Sequence, residues 1–304
     1  MTLLRQTLLF LSRRRELEEF LSHNPLARQA SRRFVAGETR AEALAVTREL
    51  NRQGFKVTLD YLGEEVSDPG QAEAAAEEYA GAVEEAAAAG LETGVSVKLS
   101  HLGIRIDAEF ARRNLLRVAE RAATVKRFVR VDMEGADLTE KTIEIVCDIN
   151  RQTGNVGAVI QSYLRRSSED IDVLNRENVP VRLVKGAYLE PEEVAWQESE
   201  EVTLYFMRLT EALMRSGTRP AFATHDERLI DFAIDIAFIF GLEQNEYEFQ
   251  MLYGIRRDLQ ERLLREGYRV RIYLPYGEDW FGYLMRRVAE RPANLWFLLR
   301  HLKE

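Results

Sequence analysis

Cysteine is almost missing from this sequence. Cys147 is the only one in 304 residues, so no disulfide can close within the chain, and a reducing compartment, the cytoplasm, is expected. It sits in "IEIVCDI", an apolar helical pattern, and reads as core packing rather than as a thiol nucleophile. Histidine is scarce too, with four in all, and no His-Glu-x-x-His spacing occurs, which leaves no metal-site signature. Basic excess is lacking: 42 Lys and Arg stand against 50 Asp and Glu, a net charge of -8. That excludes general nucleic-acid binding, which needs cations to neutralise phosphates. The apolar run in "MTLLRQTLLFLSRRRELEEFL" is too short to span a bilayer, and no small-residue cleavage site follows it. It fits an amphipathic helix followed by the basic "SRRR". Docking on the rest of the chain is the expectation, with a peripheral contact at the inner face of the cytoplasmic membrane as the alternative. Finally, no Gly-x-Gly-x-x-Gly follows any strand candidate, which argues against an open dinucleotide-binding sheet.

What is present is alternation. The first 54 residues read as helices, including "NPLARQASRRFVAG" and "GETRAEALAVTRELNRQG", each closed by a glycine. Short β-branched runs then alternate with longer helical stretches. The strands predicted are "FKVTLD" (55–60), "VSVKLS" (95–100), "RFVRVD" (127–132), "GAVIQS" (157–162), "VRLVKG" (181–186), "AFATHD" (221–226), "YEFQML" (247–252) and "RVRIYL" (269–274). Helices are expected between them, among them the Ala/Glu-rich "DPGQAEAAAEEYAGAVEEAAAAG" and the stretch "EEVAWQESEEVTLYFMRLTEALMRSG". Eight strands, each followed by a helix, predict a (β/α)8 barrel. The division expected is a helical arm over 1–54 packed on a catalytic barrel over 55–304.

In such a barrel the C-terminal strand ends form one rim, where active sites sit. Seven of the eight candidates carry polar groups there: Asp60, Lys98, Asp132, Gln161, Lys185, His225 and Tyr273, while Gln250 lies within the remaining one. Helix capping accounts for Asp60 and Asp226 without function. Lys98 and Lys185 are harder to dismiss, because their strands are otherwise apolar and a buried lysine needs a partner. For Lys98 the plain structural account is an ion pair with Asp132 on the neighbouring strand. Near the end of the chain, "GYLMRRVAERP" (282–292) sets Arg286 beside Arg287 before Pro292. Helical neighbours point about 100° apart, so the pair either flanks and enters one cavity or forms a solvated basic patch.

Together these motifs resemble the proline dehydrogenase flavoenzymes, in their short bacterial monofunctional form. The matching stretches are "LDYLGE" (59–64), "SVKLS" (96–100), "RVDME" (130–134), "QSYLRR" (161–166), "RLVKGAY" (182–188), "FATHD" (222–226), "YEFQMLYG" (247–254), "RIYLPYG" (271–277) and "YLMRRVAERPAN" (283–294). They run in the family's order at successive strand ends. The resemblance implies a distorted (β/α)8 barrel holding non-covalent FAD. It implies oxidation of L-proline to Δ1-pyrroline-5-carboxylate by hydride transfer, with electrons passed to a membrane quinone. It leaves the second step of proline oxidation to a separate pyrroline-5-carboxylate dehydrogenase.

The residues fall into roles by the same resemblance. Arg286 and Arg287, with Lys98, form the expected carboxylate clamp, since guanidinium groups supply strong charge-assisted hydrogen bonds. Tyr273, Tyr283, Leu252 and Ala187 wall the proline ring, with Tyr188 nearby, although aromatic residues at barrel mouths often only pack. Arg182 is expected near the flavin N5 and Gln161 at its pyrimidine edge. Lys185, Thr224 and His225 are expected at the ribityl or pyrophosphate region, Glu290 at the cofactor's edge, and Met133 and Gln250 among the other flavin contacts. For His225 a structural hydrogen bond at the strand end is an equal alternative. Asp132 is counted with the catalytic group. Glu64 is expected to pair with Arg286 as a gate, with Glu65 as the confounder one residue away. Two other classes stay open on the residues alone: a Schiff-base aldolase using Lys98 or Lys185, and a binding module that kept the barrel without its chemistry.

Overall fold

A computed structural model describes residue 29 and residues 31–290, with side chains through Arg287. Most of the expected N-terminal helical arm, including the "SRRR" segment, therefore lies outside the described residues, as does the side chain of Glu290.

The first helix, α1 (Arg40–Arg52), opens with a capping box in which Thr39 and Glu42 satisfy each other's backbone N–H groups. Eight strands follow: β1 (Lys56–Tyr61), β2 (Thr93–Lys98), β3 (Val129–Asp132), β4 (Val156–Gln161), β5 (Val181–Val184), β6 (Ala221–Ala223), β7 (Glu248–Leu252) and β8 (Val270–Tyr276). All pair in parallel, and β8 returns to β1, so the sheet closes into a barrel in sequence order. Each strand is followed by a helix: α2 (Pro69–Ala88), α3 (Ala108–Thr124), α4 (Thr139–Thr153), α5 (Ser167–Arg176), α6 (Ser199–Ser216), α7 (Glu227–Phe240), α8 (Arg257–Arg265) and α9 (Trp280–Glu290). The expected (β/α)8 barrel is the observed one.

The strands form because their residues alternate between two different environments. One set, including Val57, Leu59, Val95, Val97, Val129, Val131, Leu183, Phe249 and Ile272, is apolar, fully buried and part of the main core beneath the helices. The other set includes Asp60, Lys98, Arg130, Asp132, Arg182, Glu248, Gln250, Arg271 and Tyr273, and it lines two cavities inside the barrel. Barrels of this kind usually fill the interior with branched apolar side chains. Here much of the interior carries charge, which marks it as a site rather than a packing device.

Two expectations change. The stretch from Glu192 was read as one helix to Gly217, but α6 starts only at Ser199. The preceding residues instead form turns and a bridge between Leu164 and Ala195, following Pro191, which cannot donate a backbone hydrogen bond. Asp60 is no helix cap: α2 is capped by Asp68, which accepts from the Gln71 N–H, with Pro69 in the first turn. Asp226 does cap α7, accepting from the Arg228 N–H. Cys147 is buried in the core, where burial pushes its thiol pKa up and leaves it unreactive.

Candidate active site

The larger cavity, about 440 Å³, lies at the C-terminal end of the barrel. It is lined by Glu64, Lys98, Asp132, Met133, Gln161, Arg182, Lys185, Ala187, Thr224, His225, Gln250, Leu252, Tyr273, Tyr283, Arg286 and Arg287, together with Asp60, Tyr188 and a few apolar residues. Every site residue expected from the sequence whose side chain is described is therefore brought to one hollow. Five cations (Lys98, Arg182, Lys185, Arg286, Arg287) face three carboxylates (Asp60, Glu64, Asp132), a surplus of two positive charges. In a chain of net charge -8, that surplus suits an anionic ligand.

At the floor of the cavity is a buried charge network. Lys98 Nζ lies 3.0 Å from Asp60 Oδ1 and 3.5 Å from Asp132 Oδ2, so its nearer partner is Asp60 rather than Asp132. Tyr273 donates its hydroxyl to Asp132 Oδ2 at 2.7 Å, and Ser96 donates to Asp132 Oδ1 at 2.8 Å. The Arg182 guanidinium bonds Asp132 through one terminal nitrogen and Gln250 Oε1, at 3.1 Å, through the other. It also lies 5.3 Å from the centre of the Tyr273 ring. Burial alone would push the Lys98 ammonium down, but the charge of Asp60, with Tyr273 and Asp132, carries it well above the ordinary lysine range. For Asp132, burial pushes upward and is outweighed by Arg182 and Lys98, so the carboxyl ends lower than usual. For Asp60, burial, with the Asp132 charge, outweighs the pull of its ion-pair partner Lys98 and leaves the carboxyl raised. Asp60 and Ser96 belong to this network; the sequence shows Asp60 only as a strand-end group explained by capping and gives no signal for Ser96. The signal that could have found Asp60 is the buried lysine itself, which requires a carboxylate within reach.

The rim carries the other groups. Lys185 Nζ bonds Asp226 Oδ2 at 3.1 Å and Thr203 Oγ1 at 3.2 Å. Gln161 donates to the Glu134 carbonyl at 2.9 Å, and Thr224 accepts from the Asp226 N–H at 3.1 Å. His225 Nε2 accepts from the Leu252 N–H at 3.1 Å, so the strand-end structural bond exists while the ring also lines the cavity.

Arg286 and Arg287 both line the cavity from α9. They are not a solvated basic patch. Arg286 donates to Glu64 Oε1 at 2.9 Å. Burial disfavours its charge, but Glu64, joined by Tyr188, Asp60 and Tyr283, outweighs that and raises it. Glu65 points elsewhere, toward Arg105 at 3.4 Å. Its φ of +54° turns the chain between the two glutamates.

The segment carrying Glu64 is held by the turn after β2. The Glu65 N–H donates to Ser100 Oγ at 3.2 Å and the Val66 N–H to the Ser100 carbonyl at 3.2 Å. Glu134 takes hydrogen bonds from both the hydroxyl and the N–H of Ser100. Gly63 lies so close to His101 that a β-carbon would come within 2.4 Å of the ring. His101 itself is stacked on Tyr61 and contacts the Tyr79 hydroxyl at 3.1 Å. Burial, helped by the Lys98 charge, pushes the His101 pKa down to about 4. Its neutral form is therefore favoured in the folded state. The stability this gives is complete above the unfolded value near 6.5 and drains away as pH falls toward 4. The full difference is about 3 kcal/mol. Urea unfolding at pH 7 and pH 4.5 checks this: His101→Gln should lose clearly less stability across that interval than the parent, whereas equal losses would refute the assignment.

A family model described as proline dehydrogenase matches residues 43–300. The chain belongs to the proline dehydrogenase family. Proline dehydrogenase 2 of Bacillus subtilis (strain 168) is 38% identical over 97% of this chain and 97% of its own length. The proline dehydrogenase of Deinococcus radiodurans is 38% identical over 98% of this chain and 97% of its own. Among solved structures, proline utilization A from Bdellovibrio bacteriovorus, inactivated by N-propargylglycine, is similar with a TM-score of 0.81 and 26% identity. That likeness covers 87% of this chain but 33% of the larger protein. As a member of this family the chain is an oxidoreductase, and the cavity at the barrel rim is its candidate active site.

Proposed function

We propose that this proline dehydrogenase family member oxidises L-proline to Δ1-pyrroline-5-carboxylate, using FAD held without a covalent bond at the barrel rim. The observation that carries this reading is the convergence of Lys98, Arg286 and Arg287 with Tyr273 and Tyr283 around one cavity. Proline is a carboxylate beside an apolar ring, and this site offers cations beside apolar and aromatic walls.

The residues present also suit a flavin. Arg182 Nε is buried with no hydrogen-bond partner among the described residues, a donor reserved for an acceptor on a bound group. In this reading Arg182 stands at the isoalloxazine, Gln161, Met133 and Gln250 along its ring system, and Lys185, Thr224 and His225 toward the ribityl and pyrophosphate. FAD supplies the two-electron acceptor for a hydride from proline C5. The protein supplies position. The clamp fixes the carboxylate, Tyr273 and the wall residues Leu252 and Ala187 orient the ring, and the Glu64–Arg286 pair closes over the substrate. The rigid anchor of Tyr273 on Asp132 keeps its ring from tilting, which is the role proposed for Asp132.

We extend the proposal to electron delivery to a membrane quinone and to a separate dehydrogenase that consumes the product. No helix among the described residues is long and apolar enough to cross a membrane. The Schiff-base alternative needs a lysine neutral near pH 7. Lys98 is instead held as an ammonium by Asp60 and Asp132, and Lys185 is ion-paired with Asp226, which speaks against it.

Purified protein tests the reading. It should be yellow, release FAD on denaturation, and turn over L-proline with a soluble quinone. A colourless protein that FAD cannot reconstitute would refute it.

The gate has its own expected outcome. Glu64→Ala should retain FAD and fold but lose roughly tenfold in kcat/KM, the worth of a charge-assisted contact. Glu65→Ala should match the parent. If the effects are reversed, or if neither variant differs, no Glu64 gate operates.

A further inference from the structure

A second cavity, about 160 Å³, lies at the opposite, N-terminal end of the barrel. Its walls hold Arg130, Arg182, Arg219, Arg269 and Arg271 against Glu246 and Glu248. Two of these arginines are neutralised in place. Arg271 makes a two-point contact with Glu248, at 2.7 and 3.0 Å, and Arg182 is paired with Asp132. Arg130, Arg219 and Arg269 have no carboxylate partner among the described residues. Glu246, on the same rim, turns its carboxylate back onto the Glu243 N–H at 2.7 Å.

Arg130 is the telling member. It is only 6% exposed, yet its hydrogen bonds are two contacts from one terminal nitrogen to the Ala158 and Pro180 carbonyls, at 3.0 and 2.6 Å. Its remaining N–H groups have no partner among the described residues. The nearby carboxylates, Glu248 and Asp132, are already paired with Arg271 and Arg182, and a buried cation without a carboxylate of its own is costly unless something anionic completes it. Burial, with the nearby Arg182 charge, pushes this guanidinium down to about 9. The space for it is built. A β-carbon at Gly157 would lie 2.7 Å from its terminal nitrogen and 2.5 Å from the Pro180 carbonyl. Arg219 approaches the same Phe128 ring, its guanidinium carbon 5.7 Å from the centre against 4.8 Å for Arg130. One ring thus holds two like charges near each other. Arg219 also has a φ of +45°, a left-handed conformation unfavourable for a non-glycine residue.

We propose that this N-terminal mouth is a binding site for a small tetrahedral oxyanion of the phosphate class, held by Arg130, Arg219 and Arg269. Planar, multiply donating guanidinium groups match the oxygens of such an ion, and the cavity has room for it. The site is separate from the carboxylate clamp and does not depend on which reaction occurs there. Arg182 lines both cavities, so charge bound below lies one guanidinium away from the rim site.

Calorimetric titration of inorganic phosphate into the purified full-length protein, at constant ionic strength set with chloride, tests this. Saturable binding is expected, with acetate binding more weakly. Arg219→Gln or Arg269→Gln should each weaken phosphate roughly tenfold, the worth of a charge-assisted contact. Arg130→Met should abolish binding. Arg287→Met, at the other end of the barrel, should leave it unchanged. Should Arg130→Met fail to fold, the two rim variants decide. No saturable binding to the parent overturns the proposal. So does binding that survives both Arg219→Gln and Arg269→Gln but is lost in Arg287→Met, which would place the ion at the rim.

Discussion

Arg287→Met and Arg286→Met should each raise the KM for proline by roughly 10- to 150-fold while leaving FAD bound. Each substitution removes a charge-assisted contact worth about 1.5–3 kcal/mol. The loss falls on KM because the carboxylate is bound alike before and during hydride transfer. Arg286→Met should also release Glu64 from its ion pair, so its effect should overlap with that of Glu64→Ala. The double variant should then cost less than the sum of its parts. Steady-state kinetics on the four proteins measures this directly. Unchanged KM values would remove both arginines from the clamp.

Lys98→Met should have the largest effect of any single change. It leaves buried Asp60 without its ion-pair partner and weakens the hold on Asp132. Breaking a buried pair by deleting one partner costs about 3–5 kcal/mol. Urea unfolding should show that loss, and kcat/KM should fall by several orders of magnitude if the fold survives. Adding Asp60→Asn to Lys98→Met removes the orphaned charge and should recover part of the stability. It should recover none of the activity, because the cation proposed to meet the substrate is still missing. Recovery of activity would make Lys98 a structural residue only.

The barrel was legible because its strands alternate between two environments. Val95 and Val97 face the helices while Lys98 and Ser96 face the interior, and that contrast survives in the bare sequence. The rim was legible because motifs recur where strands end. What was not legible is pairing across the barrel. Asp60 reads like a helix cap, since an Asp at a strand-to-helix junction caps more often than it counters a lysine. Lys98 lies between the strands of Asp60 and Asp132, in register with Asp132, and its preference for Asp60 depends on side-chain conformation, which register does not reveal. The late start of α6 reflects Pro191 and the loop before it, where the apolar spacing still looked helical. The lower cavity was hidden for a similar reason. Arg130 and Arg271 lie in recognisable motifs, but nothing local shows that they turn inward to a shared space.

The rim cavity is proposed to bring proline against a bound flavin. Anaerobic rapid mixing of the FAD-containing protein with L-proline isolates that half-reaction from quinone chemistry. The flavin absorbance should bleach in a single phase whose rate saturates with proline, and Arg287→Met should move the half-saturation to much higher proline without shifting the flavin spectrum. A flavin that stays oxidised in the presence of saturating L-proline would contradict the account.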